Sequence, residues 1–587
     1  MKGGAKAAPG TPFSRIWCVD FEFANLPGER PVPICVVAHE LRTGERVKRW
    51  LGAEGPPLVI GDDAVMVAYV ASAEVGCLMR LGWPVPKNVI DLCAEFRLAA
   101  NGVLHPDIPR SLLGALEAFG IEHGVDGLTK KALQELAGAG GPFSVIEAIG
   151  LLDYCEQDVI ALSSLWHRML PLLDIPRALH RGRYMAAAAR MESVGVPVDT
   201  DSLAALRRSW DDVKRQLAMT ANFHYRDGAR PRTRGVFDDT TFVEERFAAY
   251  LRNHRIEWPK LADGSLRLDD ETFSDMARFF PQLRLLYETR KTLLHLRLED
   301  LAAGESGRNR TLTGAFRSRT GRNQPRNSQF IFGMPSWLRS LVRPEPGTAI
   351  AYVDWCQQEF GIAAALSHDR AMMGAYESGD PYWDFAVRAG AAPPGALRRD
   401  HEGVRETYKT VVIATQYMMS AVTLGLRLGI QTAFARELLL QHRRLFAQYW
   451  RWSQRVWVTA NFSKSMRTLF GWSCTVGPYL IREPSIRNWP IQAYGAEMMR
   501  LACILATECG VSVCCPVHDA LLIEAGHGEM EEAVATTKDA MRRASEIVLG
   551  GFALRADHKV LCHGARFRDE RGAETWERVR STAGLGA

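Results

Sequence analysis

At 587 residues the chain exceeds the length over which one hydrophobic core keeps growing, so two to four domains are expected. A composition of 47% hydrophobic and 24% charged residues excludes a disordered or fibrous chain, and a net charge of +5 is too small to name a nucleic-acid partner by itself. Twelve cysteines without a C-x-x-C pair argue against a zinc knuckle and fit a reducing compartment. Residues 1–14 read as a flexible tail with no apolar signal core. The longest apolar run, Val411 to Ile430, is broken by Gln416 and Arg427, so no membrane partner and a cytoplasmic location are expected.

Residues 15–175 have the pattern of an α/β unit. Arg15 to Phe23 is apolar and aromatic enough for a buried strand, and Pro31 to His39 supplies a second. Helical patterns follow, ending in Ile146 to Leu170, where Leu, Ile and Ala recur at three- and four-residue spacing. Residues 180–300 are mostly helical, with an Arg-rich break at Arg226 to Arg234 that reads as an exposed loop, and Gly304 to Arg310 is a polar hinge. Beyond 311, strands and helices mix: a strand within Val342 to Val353, a long helix over Val404 to Leu428, and a hairpin over Val511 to Glu524.

Asp20 and Glu22 lie two apart on the first strand, so both side chains leave the same face and can hold a divalent metal through oxygen. Far downstream, Tyr154 and Asp158 are four apart on a helix and share one of its faces. Together these resemble the first and third motifs of DnaQ-like 3′→5′ exonucleases. The resemblance implies that acids bind two ions, Mg²⁺ or Mn²⁺, one activating water and one stabilising the leaving oxygen. The matching middle motif is Tyr69-Val-Ala-Ser-Ala-Glu74, with Glu74 where the family carries Asp and without the family's Asn.

In the C-terminal half, Ala349-Ile-Ala-Tyr-Val-Asp354 is a strand ending in an acid, followed by Trp355-Cys-Gln-Gln-Glu359. A second acid sits in Pro516-Val-His518-Asp519-Ala520, between apolar runs that form a hairpin with His518 and Asp519 at its turn. Between them Arg405, Lys409, Ile413 and Tyr417 follow a strict spacing of four, so they drift slowly along one helix face with two cations at its N-terminal end. These segments resemble motif A, motif C and the nucleotide-binding helix of A-family DNA polymerases, the DNA polymerase I-like group. Ile413 replaces an aromatic, Met418 a glycine, and Ala520 the acid that usually follows motif C. Thr320-Gly-Arg322 with Asn327-Ser-Gln329 resembles the family's T-G-R…P-N-x-Q primer and template segment. Asn488 and Gln492 resemble its minor-groove reader, with Pro484 where Arg is usual and Arg482 or Arg487 as substitutes. Residues 189–199 resemble the opening of the polymerase module.

The resemblance implies a ribonuclease H-like exonuclease domain (15–175) followed by a right-hand polymerase of α/β and α+β architecture. A helical connector and thumb would span 176–310, the palm 311–365 and 471–587, and the fingers 366–470. Two Mg²⁺ ions would rest on Asp354, with Trp355 beside it, and on Asp519. Arg405 and Lys409 would hold triphosphate, Ile413 and Tyr417 would face nucleotide and template, and Glu359 would select the sugar. Arg322, Asn327, Gln329, Asn488, Gln492 and His518 would contact DNA. Expected partners are primer-template DNA and deoxynucleoside triphosphates, with replisome proteins unspecified. No 5′-nuclease domain is expected before the exonuclease, a plan like that of phage or mobile-element enzymes. Two rivals stand beside this reading: an exonuclease whose degenerate polymerase domain only grips DNA, and a non-catalytic DNA-binding replisome scaffold. Retention of both polymerase acids, the cation pair and Glu359 argues against both.

Overall fold

The computed structural model describes residues 11–585 apart from 53–54, 57, 106, 123–126, 227–233, 262 and 478–481. Most of the expected tail (residues 1–10) and of the Arg-rich break (227–233) therefore lies outside the described residues. The chain divides into two compact units, one of residues 1–195, 312–324 and 350–560, the other of 196–311, 325–349 and 561–587.

The first unit begins with a five-stranded sheet: β1 (Ile16–Ala24), β2 (Val32–Glu40), β3 (Arg46–Trp50), β4 (Val65–Ala68) and β5 (Val89–Asp91), in the order β3-β2-β1-β4-β5. β1 runs antiparallel to β2 and parallel to β4, so the strand carrying Asp20 and Glu22 lies at the centre of the sheet. Helix Val145–Met169 is started by a capping box, Ser144 accepting from the Glu147 amide and the Glu147 carboxylate from the Ser144 amide. Its apolar face, including Cys155, Leu162 and Trp166, closes the core over the sheet.

Helix Ile175–Val194 stays with this first unit instead of joining the helical segment after it, which moves the expected boundary from 176 to 195. Two contacts explain the shift. The Arg181 guanidinium makes a buried two-bond pair with Glu95 at 2.6 and 2.7 Å. Gly182 lies so close to the Val89 carbonyl oxygen that a Cβ would sit 1.8 Å from it.

The second unit contains helices Thr200–Arg208, Trp210–His224, Glu244–Asn253, Asp270–Phe279 and Arg284–His295, around a core of Tyr225, Phe247, Tyr250, Trp258 and Phe273. β6 (Val196–Pro197) enters it, and β7 (Phe237–Asp238) pairs with β8 (Thr241–Phe242). The expected hinge at 304–310 is instead fixed. β9 (Arg308–Asn309) pairs with β6, and the buried Asn309 amide donates to the Ala302 and Gln329 carbonyls while accepting from the Ile331 amide. Residues 325–349 belong to this unit although they were expected in the palm; within it Arg339 pairs with Asp569 at 2.6 Å.

The rest of the first unit holds a four-stranded sheet of β10 (Thr348–Trp355), β13 (Ser512–Val517), β14 (Ala520–Gly526) and β15 (Ala556–Cys562) in the order β13-β14-β10-β15. A short ladder of β11 (Ser465–Arg467) and β12 (Ser473–Thr475) lies apart from it in the chain. β13 and β14 form the expected hairpin, with Val517 opposite Ala520 and His518 and Asp519 between. The expected long helix over 404–428 is two helices, Glu402–Gln416 and Ala421–Leu428. Met418 takes a left-handed φ of 57°, and Ser420 caps the second helix by accepting from the Thr423 amide. Among the described residues no helix is long and apolar enough to cross a membrane.

Candidate active sites

Two carboxylate centres stand in the first unit. At the first, β1 sends Asp20 and Glu22 to one face, helix Ser72–Leu81 brings Glu74, and helix Val145–Met169 brings Tyr154 and Asp158. All line a cavity of about 1040 Å³ that also borders Arg97, Arg110, Arg317 and Arg319. Burial, then the charge of Asp158, raises Asp20 to about 7. Burial and Asp20 raise Glu22 to about 10. Glu74 is raised well above the usual carboxylate range by burial and Asp20, and its buried Oε2 has no hydrogen-bond partner among the described residues. Ligand atoms of Asp20, Glu22 and Cys155 lie within 4.8 Å of one another. Acids this crowded, with a buried oxygen left over, fit a divalent cation and are costly without one.

The same centre holds a cation from the chain. Lys130, on helix Gly127–Ala139, places Nζ 2.9 and 2.7 Å from the two oxygens of Asp158 and 5.2 Å from the centre of the Tyr154 ring. The Tyr154 hydroxyl accepts from Gln134 of the same helix. Neither Lys130 nor Gln134 was among the residues expected from sequence.

At the second centre, Asp354 near the end of β10 faces Asp519 in the β13–β14 turn, and the Trp355 amide donates to the Asp519 carbonyl at 3.2 Å. The side chain of Trp355 is buried, so only its main chain is near the acids. Burial and the neighbouring Asp519 push Asp354 up to about 8; burial likewise raises Asp519. Oδ1 of Asp354 has no hydrogen-bond partner among the described residues. An all-oxygen pair with a buried spare acceptor fits a hard divalent cation. β15 adds Asp557 and Lys559, which act on Asp354 with opposite sign. Sequence reading missed both, because only sheet pairing brings residues 354 and 557 together.

Glu359 opens helix Gln358–Ser367, and its carboxylate is ringed by three groups. The Tyr417 hydroxyl donates at 3.2 Å, the Gln492 amide donates as well, and the Arg322 guanidinium lies 3.9 Å away. Tyr417 reaches it as the residue that ends its helix, not from the helix face expected. Arg405 is buried and paired with Asp380 at 2.6 Å and with Glu406 at 2.6 Å. Lys409 is 40% exposed and lies 3.3 Å from Glu406, while Ile413 is half-buried. His518 is exposed at a φ of 57°. Asn488, on helix Glu483–Glu508, is buried, and its Oδ1 has no hydrogen-bond partner among the described residues. The neighbouring Arg487 is turned inward onto Glu483, Ser453 and Gln454 and so does not supply the missing surface cation; Arg482 is exposed. In the second unit, Asn327 is exposed and Gln329 half-buried.

Residues 308–560 match the family model described as DNA polymerase family A. The chain is 26% identical to DNA polymerase I of Chloroflexus aurantiacus over 450 residues, covering 70% of this chain and 46% of that protein. It is 22% identical to DNA polymerase I of Aquifex aeolicus, covering 68% and 73%. It is 28% identical over 220 residues to a thermostable DNA polymerase I of Thermus thermophilus, covering 35% and 26%. The chain thus spans less than half the length of the Chloroflexus relative. Among solved structures, the POL domain of Pol1 from M. smegmatis in complex with DNA primer-template and dNTP has a TM-score of 0.66 at 17% identity, covering 95% of this chain and 96% of that one. That likeness is one of fold.

Proposed function

Residues 308–560 match the model of DNA polymerase family A, and from that match we propose that the protein extends a DNA primer on a template with deoxynucleoside triphosphates. The observation that carries the reading is the meeting of Asp354 and Asp519, far apart in sequence, where the inner strand β10 ends beside the β13–β14 turn inside the matched domain. Those two acids, with the main chain of Trp355, would hold two Mg²⁺ ions. Bound there, the ions would neutralise the triphosphate and lower the pKa of the primer hydroxyl.

The protein's own side chains do the positioning. Glu359, held by Tyr417, Gln492 and Arg322, blocks the space beside the sugar 2′ carbon. Lys409 offers its exposed ammonium to triphosphate, while Arg405 stiffens the helix N-terminal end through Asp380. Ile413 offers apolar contact to the nucleotide. Arg322, Asn327, Gln329, Asn488, Gln492 and His518 contact primer and template. In this assignment the second unit supplies connector and thumb, the sheet of β10 and β13–β15 the palm, and residues 366–470 the fingers.

A second activity is favoured by the other centre: metal-dependent 3′→5′ removal of primer nucleotides by Asp20, Glu22, Glu74, Tyr154 and Asp158. Four acids converging on one large cavity support it. Extension of a labelled primer with Mg²⁺ tests the main reading. Asp354→Ala and Asp519→Ala should each lower extension roughly a thousandfold while leaving DNA binding intact, because affinity rests on phosphate contacts. Near-normal extension by either variant would end the polymerase assignment.

A further inference from the structure

Lys130 sits where a nuclease of this design would want a positive charge, and nothing in the local sequence around the acids announces it. Its ammonium bridges both oxygens of Asp158 at 2.7 and 2.9 Å, with the side chains of Lys130 and Asp158 only 14% and 11% exposed. The ring of Tyr154 lies 5.2 Å from Nζ. Both Asp158 oxygens are thereby spent on one internal cation. The remaining acids, Asp20, Glu22 and Glu74, lie on other elements, and the spare Oε2 of Glu74 is among them.

We propose that Lys130 is the resident cation of this centre, standing on Asp158 in place of one divalent ion, so that the site takes a single divalent ion on Asp20 and Glu22, whose ligand atoms lie within 4.8 Å of one another. This rests on the exonuclease reading. An ammonium donates hydrogen bonds but has no vacant position for a water ligand. Lys130 thus neutralises Asp158 and holds it and the Tyr154 ring in place, and the one divalent ion is bound on the acids of β1. Lys130 is a positioning residue here.

The test counts ions. In the full-length chain carrying Asp354→Ala and Asp519→Ala, tight Mn²⁺ sites are counted by electron paramagnetic resonance and calorimetry, with Lys130 intact and as Lys130→Met or Lys130→Arg. One tight ion is expected with Lys130, two with Met, which keeps the chain length and frees Asp158, and one again with Arg. Two ions bound with Lys130 intact, no gain with Met, or no Mn²⁺ in any of the proteins overturns the proposal. Degradation of single-stranded primer is measured separately on the chain with Lys130 intact. One ion bound without degradation defeats the exonuclease reading and leaves the ion count standing.

Discussion

The two carboxylate centres differ in how the fold treats the same chemical problem. At the first, acids from three elements are nearly sealed in, and repulsion is relieved by Lys130 and by protonation: burial lifts Asp20 to about 7 and Glu22 to about 10. At the second, two acids meet where the inner strand β10 ends beside the β13–β14 turn, with Lys559 nearby; among the described residues no lysine bridges them, and Asp354 rises to about 8. A sealed site brings its own counter-charge because desolvated acids must be paired or protonated. A site at strand ends, with both acids only half-buried, can leave that task to incoming ligands. On the proposed assignments, the first centre would take one strand end and the second a duplex and a triphosphate.

The largest expected effect separates the two activities. Replacing Asp20 and Glu22 together by Ala should cut degradation of single-stranded primer at least about a hundredfold, the scale of losing transition-state charge stabilisation. Extension should be unchanged, since neither residue touches the second centre. Loss of extension in a stably folded double variant would show that the centres act as one.

Next comes sugar selection. Glu359 is fixed by three partners, so Glu359→Ala empties the space beside the sugar and leaves the Tyr417 and Gln492 donors without their acceptor. Ribonucleotide incorporation relative to deoxynucleotide should rise by about 10- to 100-fold, the range of a lost pocket contact. An unchanged ratio would move the selecting group elsewhere.

A smaller effect reads both centres through stability. The folded pKa values of Asp20, Glu22 and Asp354 are raised above their unfolded values, so their protonated forms favour the fold. That contribution is complete below about pH 4 and is lost as pH rises through about 7 for Asp20, about 8 for Asp354 and about 10 for Glu22. Divalent cations bind the ionised acids and restore it. The Mg²⁺-induced rise in melting temperature should therefore grow between pH 5 and pH 8, the scanning buffers set roughly there to bracket the shifts of Asp20 and Asp354. Asn at 20 and at 354 should remove most of that pH dependence. A cation effect equal at both pH values would place the ions on groups other than these.

What could be read from sequence followed local periodicity. Asp20 and Glu22 share a face because strands alternate, and His518 and Asp519 fall at a turn because apolar runs flank them. The features missed depend on residues distant in sequence. Lys130 meets Asp158 only because two helices cross, and Arg405 finds Asp380 from 25 residues away. Asn309 turns a polar, glycine-containing stretch into a fixed strand through carbonyls on either side of it in the chain. The break after Gln416 was hidden by an unbroken apolar pattern, since Met418 looks like one more core residue until its φ of 57° is seen.

Met418 carries the smallest prediction. A left-handed φ costs a residue with a Cβ about 1–2 kcal/mol relative to the right-handed region, and glycine escapes that cost. The related nucleotide-binding helices carry glycine at this place, and here the backbone adopts the glycine-like conformation with methionine in it. Met418→Gly removes the strain but restores backbone freedom to the unfolded chain, which offsets about 0.4–1 kcal/mol. It also gives up whatever apolar contact the half-buried side chain makes. The net should be a stabilisation of at most about 1 kcal/mol, read as a rise of about one degree in melting temperature for a chain this long. Met418→Ala supplies the contrast: it loses the same side chain yet keeps the Cβ, so it should melt below both the parent and the Gly variant. If Gly and Ala melt alike, the turn between Gln416 and Ser420 is not held left-handed in solution, and Tyr417 must be brought to Glu359 by its hydrogen bond alone.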